Sequence, residues 1–174
     1  MKKRLFQAWP YLVLALVLLL VDIVTKKLTV NYFHEAFLQQ KEGLYQLGQE
    51  IELLHLFLGV SVSLTYASNQ GAAWGVFSTY PHLLLALRLV MITGLFFYLT
   101  CFQSAKQFRL PLVLIITGAI GNVIDFFVYG HVVDMIHCIF WGYDYPVFNI
   151  ADCLICIGTF LILFRTLFFE EKPL

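Results

Sequence analysis

Charge is scarce in this 174-residue chain: Asp, Glu, Lys and Arg together make up 13% of it, against 60% hydrophobic residues. A water-soluble domain carries about 25% charged residues, and the mean hydropathy of +0.81 points to a lipid bilayer as the natural solvent. Net charge is absent too, with eleven basic and eleven acidic residues, so the chain lacks the basic footprint of a nucleic-acid partner. Cysteines are few and irregularly spaced at Cys101, Cys138, Cys153 and Cys156. Cys153-x-x-Cys156 has no second pair to complete a metal site of about four ligands, and all four read as small apolar packing residues. The basic opening "MKKRLFQAW" is followed by no small-residue cleavage motif, and its apolar run is longer than that of a signal peptide. It reads as a retained first helix.

What is present is a set of long apolar runs. Four of them, near 9–30, 81–102, 110–128 and 147–167, reach the roughly 20 residues needed to cross about 30 Å of hydrocarbon. Lys2, Lys3 and Arg4 at the amino end, Lys106 and Arg109 in the middle loop, and Arg165 and Lys172 in the tail lie on one side. The 129–146 loop has no Lys or Arg, and the 31–80 segment has only Lys41. The positive-inside rule then places both termini and the middle loop in the cytoplasm, with Lys26 and Lys27 outvoted. The expectation is a single integral membrane domain over 1–174, mainly α, with four transmembrane helices.

The outer segment 31–80 is too polar to span. "VSVSLTY" alternates Val60, Val62, Leu64 and Tyr66 with Ser61, Ser63 and Thr65, the period of a half-buried strand. "IELLHLFLG" offers a partner, so a small β-sheet lying on the extracytoplasmic surface is expected. Trp74, Phe77 and Tyr80 suit the aromatic belt above the second span.

In this topology the polar residues gather at one depth, near the outer boundary: Asp22, Asn69, Asn122, Asp125, Asp134, Asn149 and Asp152. Ionisable groups at membrane depth mark functional sites by default, but several have simpler roles. Asn149 and Asp152 fit a helix N-cap with its third-position partner. Asn122-x-x-Asp125 fits hydrogen bonding to a neighbouring helix. Asp22 and Lys26 fit a structural pair one turn apart. Gly71, Gly118 and Gly121 fit either close packing or hinges. Asp134 is harder to assign to solvent, because Val132, Val133, Met135 and Ile136 surround it.

Two facing aspartates at a lipid–water boundary could direct water at an amide. Like charges in proximity cannot both ionise easily, so the pair holds one proton. The ionised member takes a proton from water and the protonated one hydrogen-bonds to the scissile carbonyl. Asp152, on the positive end of a helix dipole, suits the ionised role and Asp134 the protonated one.

"DIVTK" (22–26), "SNQGAAWGVF" (68–77), "TGAIGNVIDFFVYGHVVDMI" (117–136) and "FNIAD" (148–152) together resemble the bacterial lipoprotein signal peptidase family, signal peptidase II. The resemblance covers most of the chain. It implies a four-helix membrane aspartic endopeptidase that removes signal peptides from prolipoproteins, cutting just before a diacylglyceryl-modified cysteine. The family's dyad maps to Asp134 and Asp152, and its substrate-binding or dyad-supporting positions to Asn69, Gly71, Asn122, Asp125 and Asn149. No metal and no cofactor are implied. The implied partners are diacylglyceryl-modified prolipoproteins and membrane lipids, and the chain is expected to be a multi-pass monomer of the bacterial cytoplasmic (inner) membrane. One position departs from the family: Phe126 stands where "GNxxDR" has Arg, which leaves the pairing of Asp125 and the grip on substrate to other groups.

Three rivals remain. A metalloprotease would use His131-x-x-Asp134-x-x-His137, but that spacing is not the i, i+4 pair of a zinc helix, and loop histidines would meet headgroups or water. A presenilin-type protease would use Asp144 in "GYDY", but the partner GxGD is missing and Asp144 reads as a loop residue. A small transporter or lipoprotein-assembly factor would need polar groups along a path through the bilayer, whereas here they cluster at one side and Arg88 alone lies nearer the middle of a span.

Overall fold

The computed structural model describes residues 2–33, 50–70, 79–102 and 107–168. Gly71, Trp74, Phe77, Lys41, Lys106 and Lys172 lie outside the described residues. The chain runs α1 (Lys2–Tyr32), β1 (Ile51–Phe57), β2 (Val60–Asn69), α2 (Pro81–Cys101), α3 (Arg109–Tyr129), β3 (Val132–Phe140), β4 (Tyr143–Phe148) and α4 (Ile150–Phe168). It is mainly helical, with one antiparallel four-stranded sheet in the order β1-β2-β3-β4.

The central element is α3, against which α1, α2 and α4 each pack. Its sequence explains why. Gly118 and Gly121 leave no side chain where the neighbours approach: a Cβ at Gly118 would strike the Ala151 carbonyl oxygen, and one at Gly121 would lie 2.5 Å from Asp22 Oδ2. Both glycines are therefore close-packing residues rather than hinges. Gly158 does the same from α4, where a Cβ would meet the Pro111 carbonyl oxygen at 2.7 Å. Among the described residues, three helices, α2, α3 and α4, are long and apolar enough to cross a membrane by length and composition.

The sheet is larger than expected. β1 and β2 pair as anticipated, but β2 also pairs with β3 and β3 with β4. The 129–146 stretch is thus a hairpin, not a loop, and Asp134 and Asp144 are strand residues. Both hairpins close through two-residue turns, Leu58-Gly59 and Trp141-Gly142, with positive φ at all four positions. That is the geometry whose twist suits adjacent strands. The Trp141 N–H donates to the Gly59 carbonyl at 2.7 Å and ties the two turns together. The last helix begins at Ile150 rather than at 147, because Val147 and Phe148 complete β4.

The alternation in β2 is reversed in burial. Ser63 and Thr65 are buried, while Val60, Val62 and Leu64 are only half-buried. The Ser63 hydroxyl donates to Glu50 Oε2 at 2.8 Å, so this polar face is satisfied within the protein. Beneath the sheet, Tyr66 and Val133 pack with Val30 and Phe33 of the α1 end, with Ile51 and Tyr129 alongside. Of the cysteines only Cys138 is buried; Cys101 and Cys156 are exposed on helices, and all four are free thiols. The expectation that all of them are packing residues is corrected for those two.

Candidate active site

Gly130, at φ 82°, ends α3 in the left-handed conformation that glycine adopts without strain. The chain then turns directly into β3, which carries Val132, Val133 and Asp134 back over the helix end. On β2, Asn69 pairs with Val132 and Ala67 with Asp134. This register places Asn69 Nδ2 to donate to Asp134 Oδ2 at 3.1 Å.

From the other side comes the start of α4. The Asp152 N–H donates to Asn149 Oδ1 at 2.9 Å and the Asn149 N–H donates to Asp152 Oδ2 at 3.2 Å, a reciprocal capping box. The cap and the site are the same residues. Asn149 Nδ2 also donates to Asp134 Oδ1 at 2.7 Å, and Asn122 Nδ2 donates to Asp152 Oδ1 at 2.9 Å. Asp134 and Asp152 thus face a common centre, linked through two asparagine side chains that are themselves 3.2 Å apart. Asp134 and Asn149 are almost completely buried. Burial, and next the neighbouring charge of Asp152, push the Asp134 carboxyl up to about 8.

Behind this pair lies a charged cluster that sequence reasoning resolved only in part. Lys26 pairs with Asp22 at 2.8 Å, as the spacing suggested. It also pairs with Asp125 at 2.7 Å and donates to Asn122 Oδ1 at 3.0 Å. Asp125 Oδ2 accepts the Val133 N–H at 3.2 Å, and Asp22 Oδ1 accepts the Ala151 N–H at 2.9 Å. Lys26 therefore joins α1 to α3, and its carboxylate partners hold β3 and the first turn of α4 by their backbones. The Lys26–Asn122 and Asp22–Ala151 contacts join residues 96 or more apart in sequence, so no local spacing could have revealed them. Asp125 has Lys26 as its cationic partner, which answers the question raised by Phe126. The Phe126 ring instead meets His82 edge-on at 5.7 Å.

The histidines take other work. His131 shares a hydrogen bond with the Tyr66 hydroxyl at 2.7 Å. His137 lies three residues beyond Asp134 on β3, on the opposite face by strand parity. Its Nδ1 meets Glu50 Oε1 at 2.9 Å and its Nε2 meets Asp144 Oδ1 at 2.7 Å. Two carboxylate partners favour the protonated ring, in which both nitrogens donate. Both histidines thus have partners within the protein. Among the described residues, no three His, Cys, Asp or Glu side chains gather as a metal site would need. Gly71, the remaining expected site residue, lies outside the described residues.

Apolar helices around a buried acidic centre, roofed by a small antiparallel sheet, define a membrane enzyme fold. Two solved bacterial membrane enzymes share it. One superposes with a TM-score of 0.73 at 28% identity, over 95% of this chain and 94% of the other. The second gives a TM-score of 0.70 at 28% identity, over 92% and 94%. The family model described as signal peptidase (SPase) II matches residues 14–168, and the chain belongs to that family. A lipoprotein signal peptidase of Chlamydia pneumoniae is 37% identical over 153 residues, 86% of this chain and 85% of that protein. One from Chlamydia caviae is 42% identical over 106 residues, 60% of this chain and 64% of the relative. Membership makes the chain a hydrolase, a protease of lipoprotein maturation, and its apolar helices fit an integral membrane protein.

Proposed function

We propose that this protein is an intramembrane aspartic endopeptidase that cuts signal peptides from bacterial prolipoproteins just before a diacylglyceryl-modified cysteine, using Asp134 and Asp152 as its dyad. The observation that carries this reading is the convergence of both carboxylates on the Asn122–Asn149 amide pair. Asp152 accepts hydrogen bonds at the positive end of the α4 dipole and acts as the ionised general base. It takes a proton from water as the oxygen attacks the scissile carbonyl. Asp134, protonated in its buried setting, donates a hydrogen bond to the carbonyl oxygen and stabilises the charge that develops there. Collapse of the tetrahedral intermediate then returns a proton to the leaving amine.

Asn69, Asn122 and Asn149 orient the dyad, Asp125 anchors β3 through the Val133 N–H, and Asp22 with Lys26 supports them. In this reading α1 is a fourth span, both termini are cytoplasmic, and the site opens near the extracytoplasmic face of the inner membrane. The sheet lies along that surface, and 1–174 act as one monomeric domain without a metal or cofactor. A lipid-linked substrate reaches such a site laterally, with its acyl chains still in the bilayer.

The test is cleavage of a diacylglyceryl-modified prolipoprotein in liposomes by wild type, Asp134→Asn and Asp152→Asn. Each substitution should abolish cleavage while the protein still accumulates and folds. Substantial turnover by either variant would refute the assignment.

A further inference from the structure

The carboxylates and amides of the site, and the lysine behind them, come from α1, α3, α4 and the sheet. The second helix contributes none of them, yet its only charged residue, Arg88, lies within an otherwise apolar span. Ionisable side chains at membrane depth mark substrate paths by default. Its position along α2 is informative. Pro81, Leu84, Leu85, Arg88, Ile92 and Leu95 form the buried or half-buried stripe of this helix, while most other positions face outward. Arg88 is therefore on the side turned to the rest of the protein.

Depth follows from two contacts. The His82–Phe126 ring pair, 5.7 Å apart, sets the start of α2 beside the end of α3. Asn122, which donates to Asp152 at 2.9 Å, is one turn back along α3 from Phe126, about 6 Å at 1.5 Å per residue. Arg88 is six residues past His82, about 9 Å along the antiparallel α2. Its Cα thus lies about 3 Å further into the membrane than the Asn122–Asp152 level. Helix side chains lean toward their own amino end, which directs the Arg88 side chain back toward that level. Both α2 and α4 pack on α3, but neither packs extensively on the other. The wall between them is the side from which a lipid-linked chain can approach.

We propose that Arg88 is a substrate-specificity residue whose guanidinium binds the glyceryl ester carbonyls of the lipid-modified cysteine, and this rests on the peptidase reading above. In such a substrate the ester carbonyls are the last polar acceptors between the scissile peptide and the acyl chains. They must lie just below the cut, where Arg88 stands. Five N–H donors in a fixed fork give the guanidinium more than one donor to offer an ester carbonyl.

The experiment compares two synthetic lipopeptides that differ only in the glyceryl linkage: a diacyl ester substrate and its dialkyl ether analogue, which lacks both carbonyls. Wild type should favour the ester in kcat/KM by roughly tenfold to a hundredfold, the scale of a hydrogen bond from a charged donor, chiefly through KM. Arg88→Met should bring the two substrates to near-equal values by losing only the ester, and Arg88→Lys should keep part of the preference. Equal cleavage of both substrates by wild type overturns the inference without requiring any variant to fold. An unchanged ester-to-ether ratio in Arg88→Met, with both rates lowered together, also overturns it and assigns Arg88 to the electrostatics of the dyad. Failure of wild type to cut either lipopeptide overturns the peptidase reading itself.

Discussion

The side-chain amides of Asn122 and Asn149 stand 3.2 Å apart, and each sends an N–H to a different aspartate, Asn122 to Asp152 and Asn149 to Asp134. The orientation of Asn122 is not arbitrary. Its carbonyl oxygen accepts from Lys26 Nζ and from Asn149 Nδ2, which turns its NH2 toward Asp152. The amide pair therefore holds the two carboxyl groups in a defined relation, with Asp134 buried and Asp152 half-buried.

Asn149 joins two functions that can be separated by substitution. Asn149→Ala removes the cap of α4, a loss of about 1 kcal/mol in stability, and one donor to Asp134. Asn149→Ser restores a capping oxygen but cannot span to Asp134. Thermal unfolding in detergent should show Ser recovering most of the stability lost in Ala. Cleavage should remain lowered in both, by about 10²-fold in kcat, as for loss of one preorganised donor.

Lys26 carries the largest structural load. Lys26→Met leaves Asp22 and Asp125 as buried carboxylates without their cation, at a cost of about 3–5 kcal/mol. The triple variant Lys26→Met with Asp22→Asn and Asp125→Asn removes the uncompensated charge and should regain much of that stability. Its activity should stay low, because Asn122 has lost the partner that orients it. Unfolding midpoints alongside cleavage rates check both halves.

Asp134 sets a pH dependence whose sign is fixed by its role. In the peptidase reading cleavage needs the protonated form, so activity should fall as pH rises through about 8. Stability follows the same group. The folded protein keeps a proton on Asp134 between its ordinary value of 3.8 and about 8, where the unfolded chain has released it. Stability should therefore decline with rising pH across that window and level off above it. Asp134→Asn should flatten this part of the profile, as followed by unfolding midpoints over a pH series.

His137 produces a second dependence, in the sheet. Partial burial works against its charge, but Asp144 and Glu50 outweigh it and raise its pKa above the ordinary 6.5. The clamp contributes fully below that ordinary value and is lost as pH rises through the raised one. Both carboxylates are partly in water, so the contribution is under about 1 kcal/mol. The unfolding midpoints of wild type and His137→Gln should differ at about pH 6 and converge by about pH 9.

The helices were the most legible part of this chain. Spans expected at 81–102 and 110–128 match Pro81–Cys101 and Arg109–Tyr129, because an apolar run long enough to cross a bilayer has few other conformations that satisfy its backbone. The expected strand at 60–66 falls within Val60–Asn69. The β3–β4 hairpin was missed although a signal was present, a β-branched run ending at Trp141-Gly142 and bounded by Gly130. The burial of β3 on both sides masked the alternation that marks a half-exposed strand. The buried polar face of β2 was misread for a related reason: Ser63 and Thr65 resemble solvent-facing residues until Glu50 is brought against the sheet.

Composition and pattern alone pointed to a membrane protein and picked out Asp22, Asp125, Asp134 and Asp152, because hydrophobic length and charge placement act locally along the chain. Only the tertiary structure decided that Lys26 ties two carboxylates and an asparagine at once, that the cap of α4 also holds Asp134, and that Arg88 lies on the inward side of α2. Those relations join segments far apart in sequence, and their geometry arises from the packing of α1, α2 and α4 on the glycine-lined α3.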